Sequence, residues 1–97
     1  MAGPEKLVEQ KIFRYLKSVG AFAWKVHGSG MQPAGLPDIC CCINGWYVAI
    51  EVKRPNGGRV SELQKSKMKQ INDAGGIAFV ARSVEDVSSM LQSKNVI

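Results

Sequence analysis

The dipeptide Asn44-Gly45 separates two β-rich runs, residues 38–43 and 46–53. Asn-Gly supplies the two positive-φ residues that a two-residue hairpin turn demands, so it sets both the pairing and its register. Ile43 then faces Trp46, Cys40 faces Ala49, and Asp38 faces Glu51. Side chains alternate between the two faces of a strand. Trp46, Val48, Ile50 and Val52 therefore share one face, an apolar one suited to a core. Tyr47, Ala49, Glu51 and Lys53 share the other, together with Asp38, Cys40 and Cys42. Directly opposed residues hold their Cβ atoms about 4.5–5.5 Å apart. Two carboxylates at that spacing repel, and a divalent cation between them removes the penalty. The plainer reading makes Asp38 a turn residue at a strand start and pairs Glu51 with Lys53 on a solvated face.

Helical periodicity flanks the hairpin. Over residues 5–19, Val8, Ile12, Tyr15, Leu16 and Val19 fall on one side, and Lys6, Gln10, Lys11, Arg14 and Lys17 on the other. Pro4 and Gly20 punctuate that helix. Residues 22–27 read as a strand, and 28–37, rich in Gly and Pro, as a loop. A second loop runs from Arg54 to Arg59. Ser61-Glu62-Leu63-Gln64 then fits a capping box opening a helix that Gly75-Gly76 ends. Residues 77–81 form a short strand, and Ser83 caps a last helix with Glu85 and Asp86 in its first turn. The expected order is helix, three strands, helix, strand, helix, as one α/β domain over residues 1–97.

Composition narrows the function classes. Apolar residues at 45% and charged residues at 22% exclude a disordered chain, a collagen-like repeat and a coiled coil. The longest apolar run, residues 39–43, is far short of the roughly 20 residues that span a bilayer. No secretory signal is visible at the N-terminus. Thirteen Lys and Arg against 8 Asp and Glu leave a net charge of +5, which suits nucleic acid, an anionic membrane surface or an acidic partner. Cys40, Cys41 and Cys42 are consecutive, which suits neither a disulfide framework nor a zinc site. They read as small buried apolar residues of a reduced, intracellular protein.

Two polar residues stand on apolar helix faces. Glu9 shares the sector of Ile12, Phe13 and Leu16, and a buried carboxylate needs a partner. Gln64 projects among Val60, Met68 and Ile71. Without a functional role, Glu9 is a snorkelling surface residue and Gln64 the capping-box partner of Ser61. With one, Gln64 aims into the sheet face that holds Asp38 and Glu51, and its side chain is expected to serve only one of these purposes at a time. His27, at a strand end, reads as a structural hydrogen-bonding residue.

Glu9, then Gly35-Leu36-Pro37-Asp38, then Glu51-Val52-Lys53, then Gln64 in a Ser-Glu-Leu-Gln helix start form a succession. It resembles the PD-(D/E)xK nuclease superfamily and, within it, the VRR-NUC family of virus-type replication-repair nucleases. The resemblance runs from Glu9 to about Val87. It implies a restriction-endonuclease-like αβββαβα core, a mixed central sheet flanked by helices. It also implies a metal-dependent DNA endonuclease that hydrolyses phosphodiester bonds in branched DNA or Holliday junctions. Asp38 and Glu51 would hold Mg²⁺ or Mn²⁺ with the backbone carbonyl of Val52. Lys53 would position or activate the attacking water, and Gln64 would orient Lys53 or that water. Glu9 would hold an outer-sphere water or a second ion.

Two alternatives stay open: a flap or restriction-like nuclease with the same site, and a non-catalytic DNA-binding domain that keeps the fold. Stand-alone relatives of this size occur in phages, so the expected setting is the cytoplasm of a bacterial host. One site per chain and two symmetric cuts per junction lead to an expected C₂ homodimer. Expected DNA contacts are Arg54 and Arg59 beside Lys53, Lys65 and Lys67 on the following helix, and Lys11 and Arg14 on the first. Affinity should fall steeply with salt.

Overall fold

The computed structural model describes residues 3–27 and 32–97. The chain runs α1 (Pro4–Ser18), β1 (Phe22–Lys25), β2 (Ile39–Ile43), β3 (Trp46–Val52), α2 (Glu62–Asp73), β4 (Ile77–Ala81) and α3 (Val84–Ser93), the expected αβββαβα order. The sheet order is β1-β2-β3-β4. The first three strands form an antiparallel meander. β3 and β4 are parallel, and α2 supplies the crossover that a parallel pair requires. Asn44 at φ 50° and Gly45 at φ 83° make the tight turn of the β2–β3 hairpin. The register is the expected one, with Ile43 opposite Trp46 and Cys40 opposite Ala49.

Alternation along the strands splits the interior into two layers. On one face, Val8, Ile12 and Leu16 of α1 and Val87 and Leu91 of α3 pack with Ile39, Cys41, Val48, Ile50 and Val52. Each fully buried aliphatic side chain is worth about 1.5–3 kcal/mol, so this layer carries most of the stability. On the other face Met68 of α2 packs with the small residues Cys40, Ala49 and Ala78. That second layer is thin, and its end is where polar groups enter.

Two expectations fail at the hairpin end of the sheet. Trp46 shares its face with Val48 and Ile50 but is exposed. It is the first residue after the turn, at the tip of the sheet. Cys42 is exposed while Cys40 and Cys41 are buried. Cys42 lies on the α2 face, but α2 packs chiefly over β3 and β4. Cys42 is thus not one of the buried apolar residues.

Both capped helices form as read. Ser61 Oγ accepts from the Gln64 N–H at 3.1 Å, and the Ser61 N–H donates to Gln64 Oε1 at 2.9 Å. Ser83 Oγ accepts from the Asp86 N–H, and Asp86 in return accepts from the Arg82 N–H at 2.8 Å. Among the described residues no helix is long and apolar enough to cross a membrane.

Candidate active site

Asp38 stands one residue before β2, anchored by the Val26 N–H, which donates to its carbonyl at 2.8 Å. Its carboxylate takes the place that a longer β2 would fill: Asp38 Oδ2 accepts from the Val52 N–H at 2.7 Å. Lys53 N–H donates to the Ala81 carbonyl across the parallel pair at 3.0 Å. Val52, one residue earlier, therefore turns its N–H and its carbonyl the opposite way, toward Asp38.

Glu51 lies on the same side of the sheet as Asp38 and is only 2% exposed. Its Oε2 accepts from Gln64 Nε2 at 3.0 Å and sits 3.4 Å from Lys53 Nζ. Its Oε1 is buried and has no hydrogen-bond partner among the described residues. Burial, and then the charge of the neighbouring Asp38, push Glu51 up to about 8, with Lys53 pulling the other way. The hairpin thus brings together two carboxylates that resist ionising at once.

Gln64 corrects an expectation. It was expected to serve either the cap or the site, and it does both. An amide carries an acceptor and a donor. Its Oε1 takes the Ser61 N–H, which leaves Nε2 for Glu51. The cap of α2 thereby sets which end of the amide faces the carboxylate. Gly35 holds the approach to Asp38 against the same helix start. Its φ is +84°, and a Cβ there would lie 2.7 Å from Leu63 Cγ and 3.1 Å from the Leu63 backbone. Gly35→Ala should therefore destabilise the fold by roughly 1–3 kcal/mol, read as a lower urea midpoint, with the loop carrying Asp38 shifted from α2.

Glu9 stands apart from this group. It is buried on α1, and Lys25 Nζ donates to both of its oxygens, at 2.9 and 3.0 Å, while Lys6 Nζ reaches Oε1 at 3.1 Å. These bonds outweigh its burial and hold it below the ordinary carboxylate range. Lys25 is the link, because Asp38 also lies within range of its charge. Of the expected DNA contacts, Arg54 and Arg59 are exposed after Lys53, Lys11 and Arg14 are exposed on α1, and Lys67 is half-buried. Lys65 is exposed and paired with Glu62 at 3.2 Å. His27 is exposed.

Sequence reading missed Lys25 and Arg82. The signal for Lys25 was present: a carboxylate buried at Glu9 requires a cation, and a nearby lysine serves as well as a metal. Arg82 left no signal, because its partners are backbone carbonyls 24 or more residues away.

No three His, Cys, Asp or Glu side chains converge among the described residues. The oxygen donors at this end of the sheet are the two carboxylates of Asp38 and Glu51 with the Val52 carbonyl. This set fits a hard divalent cation, since Mg²⁺ is commonly held by one or two carboxylates and keeps several waters. A buried carboxylate oxygen with no donor among the described residues, beside a second carboxylate, is a deficit that such an ion would fill.

A mixed sheet with this helix order and site defines a nuclease-type fold. The model of the VRR-NUC domain family matches residues 4–85, and the chain belongs to that family. Among solved structures, one described as a VRR_NUC domain superposes with a TM-score of 0.79 at 21% identity, covering 94% of this chain and 97% of that one. Another, described as a VRR_NUC domain protein, gives 0.75 at 19% identity, covering 96% and 88%. These likenesses establish the shared fold. Among curated proteins no match is found.

Proposed function

We propose that this chain is an Mg²⁺- or Mn²⁺-dependent endonuclease that hydrolyses phosphodiester bonds in branched DNA, with a four-way junction as the favoured substrate and a C₂ homodimer as the working form. The observation that carries the metal-dependent part is Glu51 Oε1, buried beside the Asp38 carboxylate with no hydrogen-bond partner among the described residues. Membership of the VRR-NUC family supports nuclease chemistry. Asp38, Glu51 and the Val52 carbonyl would hold the ion. When bound, it supplies an acidified water and neutralises charge on the scissile phosphate.

The chain's own groups do the rest. Lys53 stands at the rim of the pair, with Nζ 3.4 Å from Glu51 Oε2 and its side chain only 13% exposed. It presents a fixed positive charge to the phosphoryl oxygens and orients the attacking water. Gln64 holds Glu51 Oε2 in place, so that Oε1 is the oxygen left without a partner among the described residues. Glu9, already held by Lys25 and Lys6, serves the outer sphere or a second ion. Arg54, Arg59, Lys65, Lys67, Lys11 and Arg14 offer positive charge to the DNA backbone. Junction preference and dimerisation rest on the need to cut two strands symmetrically with one site per chain.

The test is a cleavage panel of linear, nicked, flap and four-way DNA in Mg²⁺ and in Mn²⁺, with wild type, Glu51→Ala and Lys53→Ala. Cleavage concentrated on the four-way substrate, lost in EDTA and in both variants, is the expected result. Full activity in EDTA or in Glu51→Ala would end the metal-dependent reading. Cleavage favouring flaps would select the flap nuclease, and a monomer on junction DNA by light scattering would count against paired cuts.

A further inference from the structure

Arg82 follows β4 directly, at the C-terminal end of a strand that runs parallel to β3. Clefts beyond the C-terminal ends of parallel strands are where open α/β sheets take their ligands. Its backbone is fixed from both sides. Ala81 accepts from the Lys53 N–H, and the Arg82 N–H donates to Asp86 in the first turn of α3. Its guanidinium does something unusual for a surface arginine. Nη1 donates to the carbonyls of Arg54 and Gly57, and Nη2 donates to the carbonyl of Gly58 at 3.1 Å. Three carbonyls of one loop thus converge on one side chain.

The loop is the one that follows Lys53. Gly57 and Gly58 both have positive φ, 80° and 74°. Two consecutive glycines give a free loop the largest conformational entropy to lose. In the structure the loop folds back on the Lys53 and Arg54 side chains. Gly58 packs on the stem of Lys53, where a Cβ would lie 3.6 Å from Lys53 Cδ, and the Arg54 guanidinium lies against Gly57. No peptide in the described chain is cis, so each N–H points opposite its carbonyl. With the Gly57 and Gly58 carbonyls drawn to Arg82, the N–H groups of Gly58 and Arg59 face away from it. Neither donates to a backbone carbonyl among the described residues. The Arg54 and Arg59 side chains have no carboxylate partner among those residues.

The structure assigns to Arg82 the role of positioning residue for a phosphate-binding loop. By holding three carbonyls, it shapes residues 54–59 so that two amide N–H groups and the guanidinium groups of Arg54 and Arg59 meet a DNA phosphate beside Lys53. This deepens the nuclease reading and rests on it. The physical gain is preorganisation: a loop already ordered spends less of its binding energy on ordering when DNA arrives. Arginine suits the task because its planar fork reaches several acceptors at once, whereas a lysine offers a single nitrogen.

The test is fluorescence anisotropy of a labelled four-way junction in EDTA, where nothing is cut, across a salt series. Arg82→Gln should weaken binding by about five-fold or more and flatten the salt dependence. In an Arg54→Ala/Arg59→Ala background the same substitution should cost clearly less, because only the loop amides are then left for Arg82 to position. Arg82→Lys should lose most of the affinity as well, and it stands in for Arg82→Gln should that variant fail to fold by circular dichroism. Trypsin should cut after Arg59 faster in either variant. Losses that add in the double background would place Arg82 on the phosphate itself and overturn the proposal, as would wild-type affinity in Arg82→Gln or Arg82→Lys. Wild-type protein that binds no DNA would overturn the nuclease reading beneath it.

Discussion

Replacing Glu51 with glutamine should cost more than about 100-fold in DNA cleavage and, in EDTA at pH 9, make the fold more stable. The first half follows from position. Residues that merely support a metal ligand cost about 10–100-fold when removed, and Glu51 would be a ligand itself. The second half follows from its surroundings. Glu51 is 2% exposed, one of its oxygens has no donor among the described residues, and Asp38 stands beside it. An amide of the same shape removes one of two opposed charges and supplies an N–H to the oxygen-rich side, while its carbonyl still accepts from Gln64.

The pH dependence has a definite sign. Glu51 is raised from 4.5 to about 8, so between those values the folded state holds a proton that the unfolded chain has released. Stability from this group is fully present below 4.5 and is lost as pH rises through about 8. The variant has no such slope, so its advantage opens across that window. The Glu9–Lys25 pair does not interfere. Glu9 is lowered and its contribution is lost only as pH falls below its ordinary 4.5; Lys25 is raised and its contribution is lost only above its ordinary 10.5. Urea midpoints at pH 5 and pH 9 for the two proteins are the measurement. Equal midpoints at pH 9 would show that the fold carries no burden at Glu51, and the case for a missing cation would go with it.

The hairpin carried most of what could be read from residues alone. Asn-Gly admits one turn geometry, and that turn set the Asp38–Glu51 pairing because a strand's side-chain period is two. The capping box, the glycine stop after α2 and the Ser83 cap were legible for a similar reason: each is a local rule with a local cause. Exposure at Trp46 and Cys42 was not legible, since alternation gives the face of a residue but not how far a helix extends over it. Gln64 was misread as a choice between two partners. The sequence shows one side chain, and only the relative placement of Ser61, Gln64 and Glu51 shows that its two ends serve both. Arg82 lies beyond any such rule, because a side chain that grips backbone carbonyls leaves no complementary residue to find.

Divalent cations should stabilise the protein in a way that grows with pH. An ion at Asp38 and Glu51 must displace the proton that keeps Glu51 neutral, so protons and metal compete for one carboxylate. At pH 5.5, well below about 8, Glu51 is protonated and 10 mM Mg²⁺ or Mn²⁺ should move the unfolding midpoint little. At pH 8.5 the carboxylate is ionised in the absence of metal, its repulsion with Asp38 is unrelieved, and the ion removes both penalties at once. An ion present at about 100 times its dissociation constant stabilises by about 2.7 kcal/mol. For a domain of this size that is a rise in melting temperature of about 10 °C or more. Asp38→Asn should flatten the response, and Glu51→Gln should abolish it together with its pH dependence. Lys53→Ala should keep the response, because removing a positive neighbour from Glu51 favours the cation rather than opposing it. A wild-type midpoint that ignores both ions at pH 8.5 would show that the two carboxylates are not a metal site. Glu51 would then be a neutral acid at physiological pH, donating a hydrogen bond to Asp38 in a DNA-binding relative of the nucleases.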